Sequence, residues 1–248
     1  MDGTLLDGDG RVPDAFWPLL ETARSRGITL APASGRQLAT LQQMFPDCED
    51  FIAENGAVVA RGGEVVSTTA LPEAPVQRLL SALPSAPFAA NAVVCAPSVA
   101  ATAALPPAVD AEVDKYYASR TLLGDGSASP TIKIALYVES DAERDAYPWV
   151  RELVPELRAV VSGKHWVDLM HPDADKGLAL AQLAEAMGVA MSETAAFGDY
   201  LNDLGMLRAA GHAVAMGNAH EDVKAVADEV VGTNTDGAAV ARLAKWLS

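Results

Sequence analysis

The chain has 248 residues, half of them hydrophobic, enough to bury a core of its own or a core with an inserted second domain. Lys plus Arg number 18 against 33 Asp plus Glu, and the resulting formal charge of −15 argues against a nucleic-acid backbone or an anionic membrane as partner. No basic start runs into a long apolar stretch, and the two distant cysteines, Cys48 and Cys95, lack CxxC spacing, so the expectation is a cytoplasmic protein with two buried thiols.

The chain opens on MDGTLLDGDG, where Asp2, Gly3 and Thr4 set a carboxylate, a permissive glycine and a hydroxyl in a turn. Pro13, the apolar series Phe16, Leu19, Leu20 and Ala23, and Gly27 then mark the start, inner face and stop of one amphipathic helix. ITLAPA reads as a buried strand ending in the turn Ser34-Gly35-Arg36, and a second helix runs from about Gln37 to Phe45. The apolar run FIAENGAVV follows, with RGG as a hairpin turn before EVVSTT. Between about Leu71 and Gly163 prolines cluster and alternating stretches such as TIKIALYV flank helices, the texture of an α+β insertion.

From about Trp166 strands and helices alternate again: helix KGLALAQLAEAMG, strand TAAFGD, helix LNDLGMLRAAG, strand HAVAMG, helix AHEDVKAVA, strand EVVG and a last helix through Trp246. Such alternation implies parallel strands with crossovers. The expected fold is α/β, a doubly wound Rossmann-like core over residues 1–71 and 164–248 interrupted by an α+β cap over 72–163.

In an open α/β sheet ligands gather at the carboxyl ends of the strands, and four such places carry chemistry. Asp2-Gly3-Thr4 is the first, with an ordinary Asp-Gly turn as its plain alternative. Ser34-Gly35-Arg36 offers a hydroxyl and backbone N–H groups at a helix start, which suits an anion or simply a serine cap. Lys176 stands in the first turn of a helix, where the dipole disfavours a cation, so an anionic ligand or neighbouring carboxylates are expected to compensate it. Asp199, Asn202 and Asp203 gather two carboxylates and an amide within five residues, oxygen donors of the kind Mg²⁺ takes.

All four signals occur in order, and together they resemble the haloacid dehalogenase superfamily of phosphohydrolases, in particular its Cof-type branch. MDGTLLD, ASGR, DKGLAL and GDYLND are similar to its four motifs, with ENGA and AVAMGNAHEDVKAVADEVV as accessory pieces. The resemblance implies an Mg²⁺-dependent phosphomonoesterase acting on a small phosphorylated metabolite. In the family's Asp-x-Asp-Gly-Thr motif Met1 matches the x, so the attacking aspartate falls one position before Met1. Asp2 then matches the general acid and base, while Gly3, Ser34, Gly35, Arg36, Lys176 and Asn202 match the phosphate-binding positions, with Ser34 and Lys176 also counted as catalytic. Asp2, Asp199 and Asp203 match the metal-binding positions. Two other readings stay open, an inactive phosphometabolite-binding protein and a mutase-like phosphoryl transferase, as do a monomer and a homodimer. Elsewhere, His171 is near enough to Lys176 in sequence to reach a substrate, His165, His212 and His220 show no metal spacing, Trp17, Trp149 and Trp246 read as packing residues, and Tyr116 and Tyr117 are candidates for a pocket mouth.

Overall fold

The computed structural model describes residues 1–124 and 129–248. In chain order the first elements are α1 (Phe16–Ser25), α2 (Leu38–Met44), β1 (Phe51–Ala53), β2 (Val58–Arg61), β3 (Glu64–Thr68) and α3 (Glu73–Ala82). Next come β4 (Ala90–Cys95), β5 (Ala100–Thr102), α4 (Pro107–Val113), β6 (Arg120–Leu122), β7 (Lys133–Val138), α5 (Tyr147–Leu153), β8 (Arg158–Gly163) and β9 (Trp166–Met170). The chain finishes with α6 (Lys176–Met187), β10 (Ala195–Gly198), α7 (Leu204–Ala209), β11 (His212–Ala215), α8 (Glu221–Lys224), β12 (Glu229–Val230) and α9 (Ala238–Trp246). The fold is mixed α/β, and its contacts divide into two units. One takes residues 1–35, 44–67 and 175–248; the other takes 36–43 and 68–174.

In the first unit β10, β11 and β12 form a parallel sheet joined by α7 and α8, the crossover pattern read from the sequence. Ala196, Ala213, Ala215, Met206, Leu207 and Val223 fill the space beside it. β1, β2 and β3 form a separate sheet, with β1 and β2 antiparallel. ITLAPA, expected as a full strand, meets this sheet only through a parallel bridge between Ala33 and Ile52. Pro32 has no N–H to continue a ladder, and Ile28 at the start of the stretch is 45% exposed, so the segment is extended chain. FIAENGAVV likewise divides: Glu54, Asn55 and Gly56 form one helical turn between β1 and β2. Pro13, read as the first helical residue, lies three positions before α1, where its carbonyl accepts the Phe16 N–H, and Phe16 packs edge to face on Trp17 and Phe45. The Trp246 ring packs on Phe197 in the same unit.

The second unit is built on a six-stranded sheet in the order β6-β5-β4-β7-β9-β8. Ile134, Leu136, Val138, Val167 and Leu169 present one face of it to Val76, Leu79, Val150 and Val154 of α3 and α5 and the turn that follows. β9 pairs antiparallel with both β7 and β8, so the stretch at which strand–helix alternation was read to resume still belongs to this sheet. Residues 36–43 join the unit because the buried Gln37 amide donates to the Ser119 carbonyl and accepts the Ser119 N–H, both at 3.0 Å. Trp149 packs edge-on against Phe88, Tyr116 against Trp166, and Tyr117 lies under the Lys133 ammonium. Both cysteines are free and buried, and desolvation is the main cause that pushes the Cys48 thiol up to about 11, which leaves it inert.

Candidate active site

Four chain segments of the first unit meet at a pocket of about 400 Å³, a volume suited to a small metabolite. Its lining includes Asp2, Gly3, Ser34, Gly35, Lys176, Asp199, Asn202 and Asp203, together with Met1 and Tyr200. Arg36 groups with the second unit and is not in this lining, nor is His171.

The opening loop is held from distant parts of the chain. The Met1 carbonyl accepts the N–H groups of Thr4, Leu5 and Leu6, curling the loop into a turn. The Asn218 amide donates to the Gly3 carbonyl at 2.7 Å, and the Asn234 amide donates to the Leu6 carbonyl at 2.8 Å. Asn218 also accepts the Asn234 N–H, so the two asparagines brace each other. Gly3 has φ +73°, and the Asp199 carboxylate presses so close that a Cβ there would collide with it. The Thr4 hydroxyl donates to Asp199 Oδ1.

Lys176 begins α6, whose cap is Asp175, accepting the N–H groups of Gly177 and Leu178. The carboxylate expected to compensate the lysine is Asp203: Lys176 Nζ donates to Asp203 Oδ1 at 2.7 Å, with both side chains almost wholly buried. Asp203 Oδ2 accepts the backbone N–H groups of Asp199 and Tyr200 at 3.0 and 3.3 Å. Burial alone would raise the Asp203 pKa, but the charge of Lys176, the Met1 ammonium and these hydrogen bonds together hold it below the ordinary carboxylate range. Asp199 moves the other way. Removal from water raises its pKa and the negative charge of Asp203 adds to this, against the opposing pull of the Thr4 hydroxyl, the Met1 ammonium and Lys176. The Met1 amino group is itself desolvated in the field of Lys176, Asp203, Asp199 and Asp2, and desolvation followed by Lys176 lowers its pKa.

Both Asp203 oxygens are engaged, so its carboxylate is a clamp joining the lysine to the strand-end loop after β10. Among the described residues no three His, Cys, Asp or Glu side chains stand together as a ready metal cage. Asp199 and Asp2 bring carboxylates to the pocket lining. Ser34 is 4% exposed, with its N–H on the Ile52 carbonyl and its own carbonyl taking the Asn55 N–H. Asn202 donates from its amide to Asn55 Oδ1 at 3.0 Å. Asn55, Asn218 and Asn234 were not singled out in the sequence. Asn55 and Asn218 lay only within the accessory strings and Asn234 outside both, because their partners lie up to 228 positions away.

The sequence pattern of the haloacid dehalogenase-like hydrolases matches residues 1–243. The chain belongs to that family. The phosphatase YwpJ of Bacillus subtilis (strain 168) is 48% identical over 100 residues, a match covering 40% of this chain and 35% of that protein. With the 5-amino-6-(5-phospho-D-ribitylamino)uracil phosphatase YbjI of Escherichia coli (strain K12) the identity is 28% over 242 residues, covering 94% and 89% of the two chains. In three dimensions this haloacid dehalogenase-like hydrolase superposes on the crystal structure of TM0651 from Thermotoga maritima with a TM-score of 0.84, at 26% identity over 98% of this chain and 94% of that one. The first two relatives in this comparison are matched over well under two thirds of their length, 35% and 40%. None of the helices among the described residues is long and apolar enough to cross a membrane.

Proposed function

We propose that the pocket binds the phosphoryl group of a small phosphorylated metabolite and catalyses hydrolysis of the phosphomonoester. The observation that carries this reading is the buried Lys176–Asp203 pair. A desolvated lysine committed to one carboxylate on one side of a pocket, with a hydroxyl, an amide and backbone N–H groups around it, is the donor set a phosphoryl group requires. Ser34, the Gly35 N–H, Lys176 and Asn202 bind the phosphoryl oxygens, and their fixed positions meet the charge that builds up in the transition state.

In the family pattern the attacking carboxylate stands at the position before Met1, and Met1 is itself among the residues lining the pocket. Asp2, next along the chain, delivers a proton to the leaving alkoxide and later takes one from water. The oxygens of Asp199 and the Asp2 carbonyl suit Mg²⁺, a hard cation that prefers oxygen and keeps part of its water, and Asp203 positions Asp199 through its backbone N–H. A bound Mg²⁺ would supply positive charge that lets a phosphate approach these acids and offsets the negative charge on the phosphoryl oxygens. The raised pKa of Asp199 agrees with a carboxylate placed to receive a cation.

The test is phosphate release with and without Mg²⁺, using the chain as numbered and a version carrying an aspartate and an apolar strand ahead of Met1. A panel of sugar phosphates, pyridoxal phosphate and a phosphorylated ribityl compound covers the metabolite range. Turnover by the extended chain that vanishes on chelation is expected; silence from both chains with metal present overturns the hydrolase reading.

A further inference from the structure

The turn Glu54-Asn55-Gly56 touches every phosphate-gripping segment except the opening loop, and it does so from an unusual backbone. Glu54 and Asn55 have φ of +51° and +56°, the only positive values among non-glycine residues described. Side chains avoid that region, and two in succession persist only where surrounding contacts compel them.

Those contacts run to three places. The Asn55 N–H donates to the Ser34 carbonyl at 3.0 Å. The Asn55 side chain lies against Gly35, where a Cβ would stand 2.9 Å from both its Nδ2 and its Oδ1. Asn55 Oδ1 accepts from the Asn202 amide at 3.0 Å. Next in the chain, Gly56 has φ +94° and approaches the Asp175 carbonyl and the Lys176 N–H too closely to admit any side chain. One three-residue turn is therefore packed against the segments that present Ser34, Lys176 and Asn202.

A carboxamide nitrogen carries two N–H groups in one plane at a fixed angle. Committing one of the Asn202 pair to Asn55 fixes the plane of the amide and so the direction of the other. From this geometry we infer that Asn55 is a positioning residue of the anion pocket: it acts through Asn202, and through the Ser34-Gly35 backbone, to aim phosphate donors without being part of the pocket lining itself. This inference rests on the phosphate-binding reading above.

The experiment is a calorimetric titration of inorganic phosphate, with excess Mg²⁺, into the parent, Asn55→Gly, Asn202→Ala and the double variant. Glycine takes the left-handed backbone without strain, so Asn55→Gly deletes the amide while its melting temperature stays at or above the parent's. Phosphate binding by Asn55→Gly is expected to weaken about tenfold, the worth of one aimed hydrogen bond to a charged group. In the Asn202→Ala background the same substitution is expected to cost little further, because the group it orients is gone. Unchanged phosphate affinity in Asn55→Gly overturns the inference and leaves the pocket reading intact. A loss that is fully additive with Asn202→Ala overturns it too, since that marks a general structural role. Failure of the parent to bind phosphate overturns the pocket reading, and this inference with it.

Discussion

Each unit of the molecule holds a buried lysine whose charge acts on an aspartate, and the two carboxyls shift in opposite directions. Lys176 and Asp203 in the first unit are joined at 2.7 Å, and two backbone N–H groups fill the remaining oxygen of the acid, whose pKa falls below the ordinary range. In the second unit Asp168 is stripped of water to the point that desolvation outweighs both the charge of Lys133 and the hydrogen bond of Ser162, and its pKa rises. Lys133 is 4% exposed and stands over the Tyr117 ring, 5.2 Å from its centroid. A nearby lysine is thus not enough to keep a desolvated carboxylate's pKa from rising. At the site pair the charge of Lys176 comes first, and its hydrogen bond and the N–H groups of the loop after β10 add to it, so that together they outweigh desolvation.

The contrast is broken most directly by removing one charge from each pair. Asp203→Asn deprives the buried Lys176 of its hydrogen-bonded counter-charge, and is expected to cost about 3–5 kcal/mol in denaturant unfolding. Asp168→Asn keeps the shape and deletes a charge its surroundings already disfavour, so it is expected to cost less than about 1 kcal/mol. Equal losses would show that the two pairs are alike.

Acid titration sharpens the same comparison. Asp203 titrates below its ordinary 3.8, so its contribution to stability is fully present above that value and is lost as pH falls through the lower folded value. Asp168 titrates above its ordinary 3.8, so its charged form detracts from folding at neutral pH, and stability is regained as pH falls through the raised folded value toward 3.8. Urea midpoints measured across the acid range are expected to lose the late acid decline in Asp203→Asn and the earlier gain in Asp168→Asn.

A smaller effect is expected at Thr4. Thr4→Val removes the hydroxyl that Asp199 accepts, at a cost of about 1–2 kcal/mol in thermal or urea unfolding. It also removes one of the influences lowering the Asp199 pKa, so the pH dependence of any Mg²⁺ binding is expected to shift upward.

Local chemistry made much of this legible in the sequence. Gly27 ends α1 and Gly188 ends the helical run KGLALAQLAEAMG because a left-handed stop acts within a turn of its own position. The cluster Asp199-Asn202-Asp203 was legible for the same reason, since it spans five residues at the end of β10. The role of Asp203 was not, because only the fold shows that Lys176 lies 27 positions away in sequence and 2.7 Å away in space. Asn55 was hidden inside an apolar run whose composition reads as one strand, and its left-handed φ has no signature in residue type beyond asparagine's tolerance of it. Arg36 was read with Ser34 as its sequence neighbour, yet the chain leaves the first unit between Gly35 and Arg36.

The central claim is that Lys176, fixed by Asp203, grips an anion in the pocket. Calorimetric titration of inorganic phosphate into the parent and Lys176→Met, both with Mg²⁺, tests it most directly. Saturable binding by the parent, weakened at least about tenfold in Lys176→Met, is the expected result. Equal affinity in the two proteins, or no binding by the parent, would contradict it.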